Sequence, residues 1–411
     1  MAIHTLPRRA EARVTEALAD TRIVLINGPR QSGKTTLARE VLRGRSGRYL
    51  TLDDPATLRT VLEDPREIVR GPGLTVIDEF QRGGDALVRC LKIEVDEDPR
   101  PGRFLLTGSS RFLVVPSLSE SLAGRVEIVD LWPLSQGEIL GRKETFLDRL
   151  MDGPARLRSL RPESGTRAAL FDRVCRGGLP EAVLRAPRRR KALFASYART
   201  LLSRDARDIL RVREARDLRR LLHLLAARTA QVVNQSALSA DLGVPRTTVS
   251  THLSLLGMIY VHFELPAWSR NLSSKAVRSP KLHLTDTGLA AHLLGLGAEA
   301  AGRPGSRVAG PLLETFAVSE ILRQASWSED PPEAGHFRDA AGREIDLVLE
   351  SAQGRIAAVE VKATSSPGER DFRSLEWLRD RTGADFIQGV LLCTAREDRI
   401  TVMPVSALWE G

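Results

Sequence analysis

A loop near the amino terminus constrains the fold of this chain more than any other feature of its sequence. The segment Gly28-Pro29-Arg30-Gln31-Ser32-Gly33-Lys34-Thr35, followed by Thr36, matches the pattern G-x-x-x-x-G-K-[ST]. An apolar stretch, RIVLIN, precedes the loop, and helical spacing begins inside it. Backbone N–H groups of such a loop surround phosphates, its lysine neutralises them, and its threonine binds Mg²⁺. We therefore predict a nucleoside triphosphate site at residues 28–36, with Lys34 as the catalytic cation and Thr35 as a metal ligand.

Two further apolar stretches end in polar residues suited to the same site. Leu74–Asp78 ends in an acidic pair, in which Asp78 is predicted to hold Mg²⁺ through water and Glu79 to polarise the attacking water. The alternative is an acidic pair on the surface. The stretch Arg103–Thr107 runs into TGSS, and one of three hydroxyls there is expected to sense the γ-phosphate: Thr107, Ser109 or Ser110.

The first third of the chain alternates short apolar stretches with helical ones. Five stretches are predicted strands: Arg22–Asn27, Tyr49–Asp53, Leu74–Asp78, Arg103–Thr107 and Val126–Leu131. Nearly continuous apolar strands separated by helices indicate a parallel sheet covered on both faces, so the predicted fold class is α/β. We divide the chain into a P-loop domain (1–140), a helical segment (141–230), a helix–turn–helix (231–265), a connecting segment (266–309) and a small α/β domain (310–411).

Composition excludes several classes of protein. With 42% hydrophobic and 27% charged residues, the chain is expected to fold rather than to be disordered. No apolar run approaches the ~20 residues needed to span a bilayer, and the start has no apolar signal core, so no membrane partner is expected. Three widely separated cysteines without C-x-x-C spacing argue against a disulfide scaffold or zinc knuckle and favour the cytoplasm.

The excess of positive charge is concentrated in one segment. Residues 185–220 contain 13 basic and 4 acidic residues, a net charge of +9 that equals the net charge of the whole chain. One interpretation is a surface that holds nucleic acid phosphates. The other is a solvated arginine-rich helix with internal Arg–Asp pairs.

The segment Leu238–Val249 has the spacing of a helix–turn–helix, with Gly243 at the turn and Val249 as an apolar anchor. The second helix is predicted to present four side chains outward for DNA contact: Arg246, Thr247, Thr248 and His252. The alternative is that this unit packs against protein, because helix–turn–helix folds also serve as docking units.

Near the carboxyl terminus, two strands flank the turn signal Ser351–Gly354. A hairpin symmetric about Gln353 places Asp346 opposite Glu360, with Lys362 on the same face. With Glu314 or, less favoured, Glu320 from the preceding helix, this set resembles the PD-(D/E)xK nuclease fold. Carboxylates there hold Mg²⁺ while the lysine orients a water. The alternatives are an ordinary hairpin with charge pairs and a nuclease-like domain kept for binding.

Several segments together resemble one family. GPRQSGKTT, LTVIDEFQR, RFLLTGSSRF and SLAGRVEIVDLWPLS look like AAA-type P-loop ATPases of a bacterial and archaeal predicted-ATPase family. RGGLPEA, LHLTDTGLA and GPLLETFAVSEIL are similar to the C-terminal region of that family, whose function is unknown. The resemblance implies ATP and Mg²⁺ as cofactors, a homo-oligomer, and an arginine finger supplied by a neighbouring subunit. Arg125 is favoured for the finger over Arg111.

The sequence as a whole predicts a Mg²⁺-dependent ATPase that couples nucleotide state to the binding or processing of nucleic acid, with DNA as the expected partner. Two alternatives stay open. One is an ATP-driven signalling switch with a protein partner and an inactive nuclease-like domain. The other is a regulator that binds DNA through the helix–turn–helix.

Overall fold

A computed structural model describes residues 6–109, 122–162, 165–201, 215–270, 279–394 and 402–411. The chain divides into two compact units, which we describe separately. Unit 1 comprises Met1–Leu134 and Met258–Tyr260, and unit 2 comprises Ser135–Gly257 and Val261–Gly411. In these described ranges, no helix is both long and apolar enough to cross a membrane.

Unit 1 is built on a parallel sheet of five strands in the order β2-β3-β4-β1-β5. Every pair in it is parallel, as predicted. The strands are β1 (Ile23–Asn27), β2 (Gly47–Thr51), β3 (Leu74–Asp78), β4 (Phe104–Gly108) and β5 (Val126–Asp130). The predicted α/β class is therefore confirmed, and the strand ends differ from the predicted ones by at most two residues.

Helices cover both faces of this sheet. They are α1 (Ala10–Asp20), α2 (Lys34–Leu42), α3 (Pro55–Glu63), α4 (Pro65–Val69) and α5 (Gly84–Glu97). Alternate residues of β1 enter two separate cores: Ile23 packs in the core that includes residues of α5, and Val24 in the core that includes residues of α1 and α2. Both faces of each central strand are buried, which explains why its sequence is apolar without alternation.

Unit 2 begins with short helices. They are α6 (Gln136–Leu140), α7 (Phe146–Asp152), α8 (Pro154–Arg158), α9 (Arg167–Arg176), α10 (Pro180–Val183), α11 (Pro187–Thr200) and α12 (Ala215–Ala227). The middle of the arginine-rich segment, residues 202–214, lies outside the described residues. Two further helices, α13 (Gln235–Leu242) and α14 (Arg246–Met258), form the predicted helix pair.

The predicted connecting segment is not a linker. It contains strand β8 (Lys281–Leu284) and helices α15 (Thr287–Leu293) and α16 (Ala298–Gly302). All four residues of β8 are buried, and β8 is the central strand of an antiparallel sheet with β6 (Gln231–Val232) and β7 (His262–Leu265). The Ser, Pro and Gly residues of this segment therefore lie in the turns between short elements. Such turns need the same residue types as a linker, so composition alone does not distinguish the two.

The C-terminal part of unit 2 is a mixed sheet in the order β13-β12-β11-β10-β9. Its strands are β9 (Glu333–Arg338), β10 (Glu344–Glu350), β11 (Ile356–Val361), β12 (Phe386–Cys393) and β13 (Val402–Pro404), with helices α17 (Ala309–Trp327) and α18 (Arg373–Thr382). Leu347 pairs with Val359 and Val348 with Ala358. This register confirms the predicted hairpin symmetric about Gln353.

One buried carboxylate explains two of the segments noted in the sequence. Asp286 caps α15 by accepting the N–H of Leu289 at 2.8 Å. It also accepts the N–H groups of Gly178 at 2.7 Å and Leu179 at 3.2 Å. A Cβ atom on Gly177 would lie 2.3 Å from Oδ1 of Asp286, so glycine is required there. RGGLPEA and LHLTDTGLA therefore pack on each other.

Candidate functional site

The predicted phosphate loop joins β1 to α2, at the carboxyl edge of the unit 1 sheet. Gly33 has a φ of +97°, and a Cβ atom on Gly28 would lie 2.3 Å from the carbonyl oxygen of Leu131. Both positions therefore need glycine. Pro29, Arg30, Gln31 and Ser32 form the loop between these glycines, and Thr35 and Thr36 lie in the first turn of α2.

The ammonium group of Lys34 is folded back onto the loop. Its Nζ atom donates to the carbonyl oxygens of Gly28 at 2.9 Å and Pro29 at 2.8 Å, and the residue is only 5% exposed. The N-terminus of α2, with its positive end of the helix dipole, lies at the same loop. The loop therefore offers a cation and a helix terminus to a bound anion.

Asp78, the last residue of β3, connects this strand to the loop. The hydroxyl of Thr35 donates to its carboxylate, at 3.0 Å from Oδ1 and 3.1 Å from Oδ2. Tyr49 on the neighbouring strand donates its hydroxyl to Oδ2 at 2.8 Å. Burial of the phenol, together with this carboxylate, raises the pKa of Tyr49 to about 12. Sequence reasoning missed Tyr49, and the only signal was a polar aromatic residue in the adjacent strand.

Thr107 connects the two acidic residues. Its hydroxyl donates to Oδ1 of Asp78 and accepts the backbone N–H of Glu79 at 3.1 Å. Glu79 itself has a φ of +56°, a left-handed conformation that is uncommon outside glycine. The hydrogen bond between Thr107 of β4 and the backbone N–H of Glu79 therefore holds Glu79 in this conformation.

The Glu79 carboxylate has its own partners. Oε2 accepts the side-chain amide of Gln81 at 2.6 Å and the hydroxyl of Ser109 at 3.2 Å. The predicted polar residues at the end of β4 therefore contact different acidic residues, with Thr107 on Asp78 and Ser109 on Glu79. Gln81 was not predicted, and Ser110 lies outside the described residues.

The candidate finger Arg125 lies before β5, at the opposite edge of the sheet from the loop. Its guanidinium forms a bidentate pair with Asp96, with Nε 2.6 Å from Oδ1 and Nη2 2.9 Å from Oδ2. This hydrogen bonding lowers the pKa of Asp96. The competing candidate, Arg111, lies outside the described residues.

The segment predicted as a helix–turn–helix consists of two helices joined by a short turn. Gly243 ends α13 in the left-handed region, with a φ of +70°, and α14 begins three residues later. Arg246 and Thr247 are exposed and Thr248 is half-buried. The prediction for His252 was wrong, because this side chain is buried at 4% exposure.

Helical periodicity explains the position of His252. It lies three residues after Val249 and next to Leu253, on the face that packs into the core. The outward face of α14 instead carries Thr247, Ser250, Thr251 and Ser254, all of them exposed. The sequence contained this signal in the spacing of its leucines.

The predicted nuclease-like residues meet on β10 and β11, but around a lysine that was not predicted. Nζ of Lys281, in β8, lies 2.7 Å from Glu314, 2.6 Å from Glu344 and 3.1 Å from Asp346. The Lys281 side chain is 1% exposed. Glu314, favoured in the sequence, therefore joins this cluster through Lys281.

The remaining two predicted residues pair with each other. Oε1 of Glu360 lies 2.5 Å from Nζ of Lys362. Burial, with the nearby Asp346 carboxylate, raises the pKa of Glu360 to about 8. Glu320 lies elsewhere: it accepts the backbone N–H of Gln136 at 2.8 Å and pairs with Arg323. Six residues separate it from Glu314, so the two point to different sides of α17.

The phosphate loop of unit 1 and the acidic residues elsewhere differ in whether their side chains are arranged to bind a metal ion. In the loop of unit 1, Thr35 and Asp78 place a hydroxyl and a carboxylate side by side, which are oxygen ligands of the kind Mg²⁺ prefers. These residues fit a Mg²⁺ ion that comes with a nucleotide. In the parts of the chain that the structure describes, no group of three or more His, Cys, Asp and Glu side chains is arranged to hold a metal ion.

Comparisons with family models divide the chain into three parts. Residues 20–140 match the model of an AAA domain. Residues 167–300 and 309–408 match two domains of unknown function, DUF8612 and DUF4143. The similarity to an AAA-type ATPase predicted from the sequence is thus confirmed for unit 1, while these models give no function for unit 2.

Solved structures with detectable similarity include RuvB of Thermotoga maritima, at 20% identity over 63% of this chain and 88% of that one, with a TM-score of 0.29. Another is a DNA polymerase III gamma-subunit-related protein of the same organism, at 14% identity over 61% and 97%, with a TM-score of 0.26. Scores this low support no argument about this chain.

Among curated proteins, the chain is similar to uncharacterized proteins. The protein Rv2008c of Mycobacterium tuberculosis is 34% identical over 372 residues, which cover 89% of this chain and 76% of the relative. Mb2031c of Mycobacterium bovis matches to the same extent. An uncharacterized protein of Haemophilus influenzae is 23% identical over 327 residues, 74% of each chain. Because 34% of the residues are identical over most of both chains, this chain belongs to the same family as the two mycobacterial proteins.

Proposed function

We propose that this chain is a Mg²⁺-dependent ATPase that couples its nucleotide state to nucleic acid binding by unit 2. The observation that carries the first part is the hydrogen bond between Thr35 and Asp78 beside the Lys34 loop. It brings together the ammonium of Lys34, the hydroxyl of Thr35 and the carboxylate of Asp78, which are the three groups that a nucleotide with Mg²⁺ requires. Bound Mg²⁺ supplies neutralisation of the charge that develops on the phosphates.

The residues of unit 1 would divide the work. Lys34 would exchange the loop carbonyls for phosphate oxygens, and Asp78 would orient the ligands of the ion through water. Glu79 would accept a hydrogen bond from the attacking water once its Oε2 atom is released from Gln81 or Ser109. Thr107 would hold both acidic residues in position beside the loop, through its hydrogen bonds to the Asp78 carboxylate and the Glu79 N–H.

Phosphate release from ATP, measured with and without Mg²⁺, tests this assignment. We expect turnover by the wild type only with Mg²⁺, and neither turnover nor binding of a fluorescent ATP analogue by Lys34→Ala. Turnover by Lys34→Ala equal to that of the wild type would contradict the assignment.

The proposal for nucleic acid depends on α14. Its outward face is made of hydroxyl side chains with Arg246 at the helix start. The helix contacts the sheet β6-β8-β7 through His262 of β7, whose Nε2 lies 3.0 Å from the carbonyl oxygen of Leu253. We interpret this unit as a winged helix whose second helix enters a groove of DNA. Small polar side chains allow close approach, and Arg246 adds a charge-assisted hydrogen bond to a phosphate or base.

Affinity for duplex DNA measured over a series of salt concentrations tests this part. We expect Arg246→Ala and Thr247→Glu to weaken binding at least tenfold. Arg303→Ala is the control, because Arg303 is an exposed arginine of unit 2 at the end of α16 and not part of the helix pair. Equal loss in the control would show that the helix has no special role. A salt slope near zero would favour a protein partner.

The second candidate is a signalling switch with a protein partner. It is favoured by the contact of the Lys281 ammonium with the carboxylates of Glu314 and Asp346 beside the nuclease-like sheet (β13-β12-β11-β10-β9). Carboxylates that neutralise a lysine are less suited to hold a catalytic metal ion, so this domain suits binding of a partner better than cleavage of nucleic acid. In either case we propose a homo-oligomer, as the family resemblance implies. We also propose a cytoplasmic protein, in keeping with the free thiols of Cys90, Cys175 and Cys393.

A further inference from the structure

Three carboxylates from two elements in the C-terminal part of unit 2 surround one cation. Glu314 lies on α17, Glu344 and Asp346 on β10, and each has an oxygen within 3.1 Å of Nζ of Lys281. Lys281 is 1% exposed, so its charge is stable there only because these carboxylates neutralise it. The cation is contributed by β8, which belongs to the other sheet of unit 2.

Two further carboxylate oxygens next to the cluster already have hydrogen-bond partners. Oδ2 of Asp346 accepts the backbone N–H of Val361 at 2.9 Å, and Oε1 of Glu360 pairs with Lys362. Oε2 of Glu360 is buried without a hydrogen-bond partner. A buried carboxylate oxygen in this state favours a nearby positive charge.

A divalent ion and this ammonium compete for the same atoms. Mg²⁺ takes oxygen ligands at about 2.1 Å, and the oxygens brought together here are those of Glu314, Glu344 and Asp346 that contact Nζ. Two cations that share these oxygens would lie within a few ångströms of each other in a buried site, where like charges repel strongly. Either Lys281 or a metal ion can be accommodated, but not both.

We propose that Lys281 is the resident cation of the nuclease-like domain and replaces a divalent metal ion. Unit 2 then binds no Mg²⁺ or Mn²⁺ at this cluster and does not cleave phosphodiester bonds. Removal of Lys281 opens a latent site for a divalent cation, with Glu314, Glu344 and Asp346 as its ligands. Unit 1 and its nucleotide play no part, so the outcome is separable from that of the ATPase proposal.

The test is titration of the whole, nucleotide-free chain with Mn²⁺. Electron paramagnetic resonance measures the bound ion, and thermal melting measures its effect on stability. We expect Lys281→Ala to bind one more Mn²⁺ than the wild type and to gain several degrees in melting temperature with the ion. Lys281→Arg and Lys362→Ala are matched controls and should gain neither, since both keep a cation among Glu314, Glu344 and Asp346. Adding Asp346→Asn to Lys281→Ala should abolish the gain.

The wild type decides the proposal even where Lys281→Ala is unstable. Mn²⁺ bound by the wild type and lost in Asp346→Asn would overturn it. Nicking of DNA or RNA by the wild type that disappears in Asp346→Ala would overturn it as well. A Lys281→Ala chain that folds but binds no additional ion would also contradict it, whereas folding only in the presence of Mn²⁺ would support it.

Discussion

The hydroxyl of Thr35 lies 3.0 Å from Oδ1 of Asp78 and thereby connects the first turn of α2 to the end of β3. Thr107 donates to the same carboxylate, so the acidic residue is fixed from two sides. Glu79 follows in the chain and has a different environment, in which its carboxylate contacts Gln81 and Ser109. The geometry thus separates a candidate metal ligand from a candidate base.

This separation predicts the behaviour of Glu79→Gln. The amide keeps the size of the side chain but cannot accept a proton, so we expect ATP binding to be retained and hydrolysis to fall at least a hundredfold. Single-turnover phosphate release and binding of a fluorescent ATP analogue measure the two effects. Glu63→Gln, in an exposed position at the end of α3, is the control and should behave as the wild type does. Equal turnover in Glu79→Gln and the wild type would remove Glu79 from the mechanism.

A second prediction concerns Arg125. If it acts on a nucleotide in a neighbouring subunit, neither Arg125→Ala nor Lys34→Ala should hydrolyse ATP alone, and a mixture of the two should recover part of the activity. Asp96→Asn separates this role from the ion pair that Arg125 makes within its own subunit. We expect Asp96→Asn to stay active, because it leaves the guanidinium in place. Full activity of a monomer, measured by light scattering alongside turnover, would contradict a finger supplied by a neighbour.

The sequence predicted unit 1 well because its signals are local. A fixed loop pattern and five apolar runs are enough to place Lys34, Asp78 and Glu79 at one edge of a parallel sheet. The hairpin register of Asp346 and Glu360 was predictable for the same reason, since side chains in strands alternate with a period of two.

What the sequence did not show depends on contacts between distant segments. Lys281 lies 65 residues before Asp346 in the chain, within a stretch that composition alone assigned to connecting structure. Tyr49 reaches Asp78 only because β2 and β3 are neighbours. The helical spacing of the neighbouring apolar residues predicts that His252 is buried. The helix–turn–helix pattern instead favours residues near the start of the second helix for DNA contact.

A third prediction concerns stability and pH in unit 2. Glu144 accepts the N–H of Gly137 at 3.0 Å and the hydroxyl of Ser135 at 2.8 Å. Burial, with the nearby Glu320, raises the pKa of Glu144 to about 8 in the folded chain from an ordinary value of 4.5. The folded state therefore favours the protonated form, and the stability this provides below pH 4.5 is lost as the pH rises through about 8.

Glu144→Gln removes this titration while it keeps a side chain of similar size. We expect the melting temperature of the wild type to fall, relative to that of Glu144→Gln, by several degrees between about pH 5 and pH 8. Asp339→Asn, on an exposed turn, is the control and should follow the wild type over the same range. Parallel curves for the wild type and Glu144→Gln would show that Glu144 does not titrate in this window.

The last prediction concerns Asp286, which accepts three backbone N–H groups inside unit 2. Asp286→Ala leaves these donors buried without partners, so we expect the free energy of unfolding to fall by about 3 kcal/mol. Gly177→Ala should destabilise the same contact from the other side, because its Cβ atom would meet the Asp286 carboxylate. Gly305→Ala is the matched control, since Gly305 also has a positive φ but its Cβ atom would meet nothing within 4 Å. Urea unfolding of the three variants measures the differences, and a loss in Gly177→Ala no larger than in Gly305→Ala would show that backbone strain alone explains it.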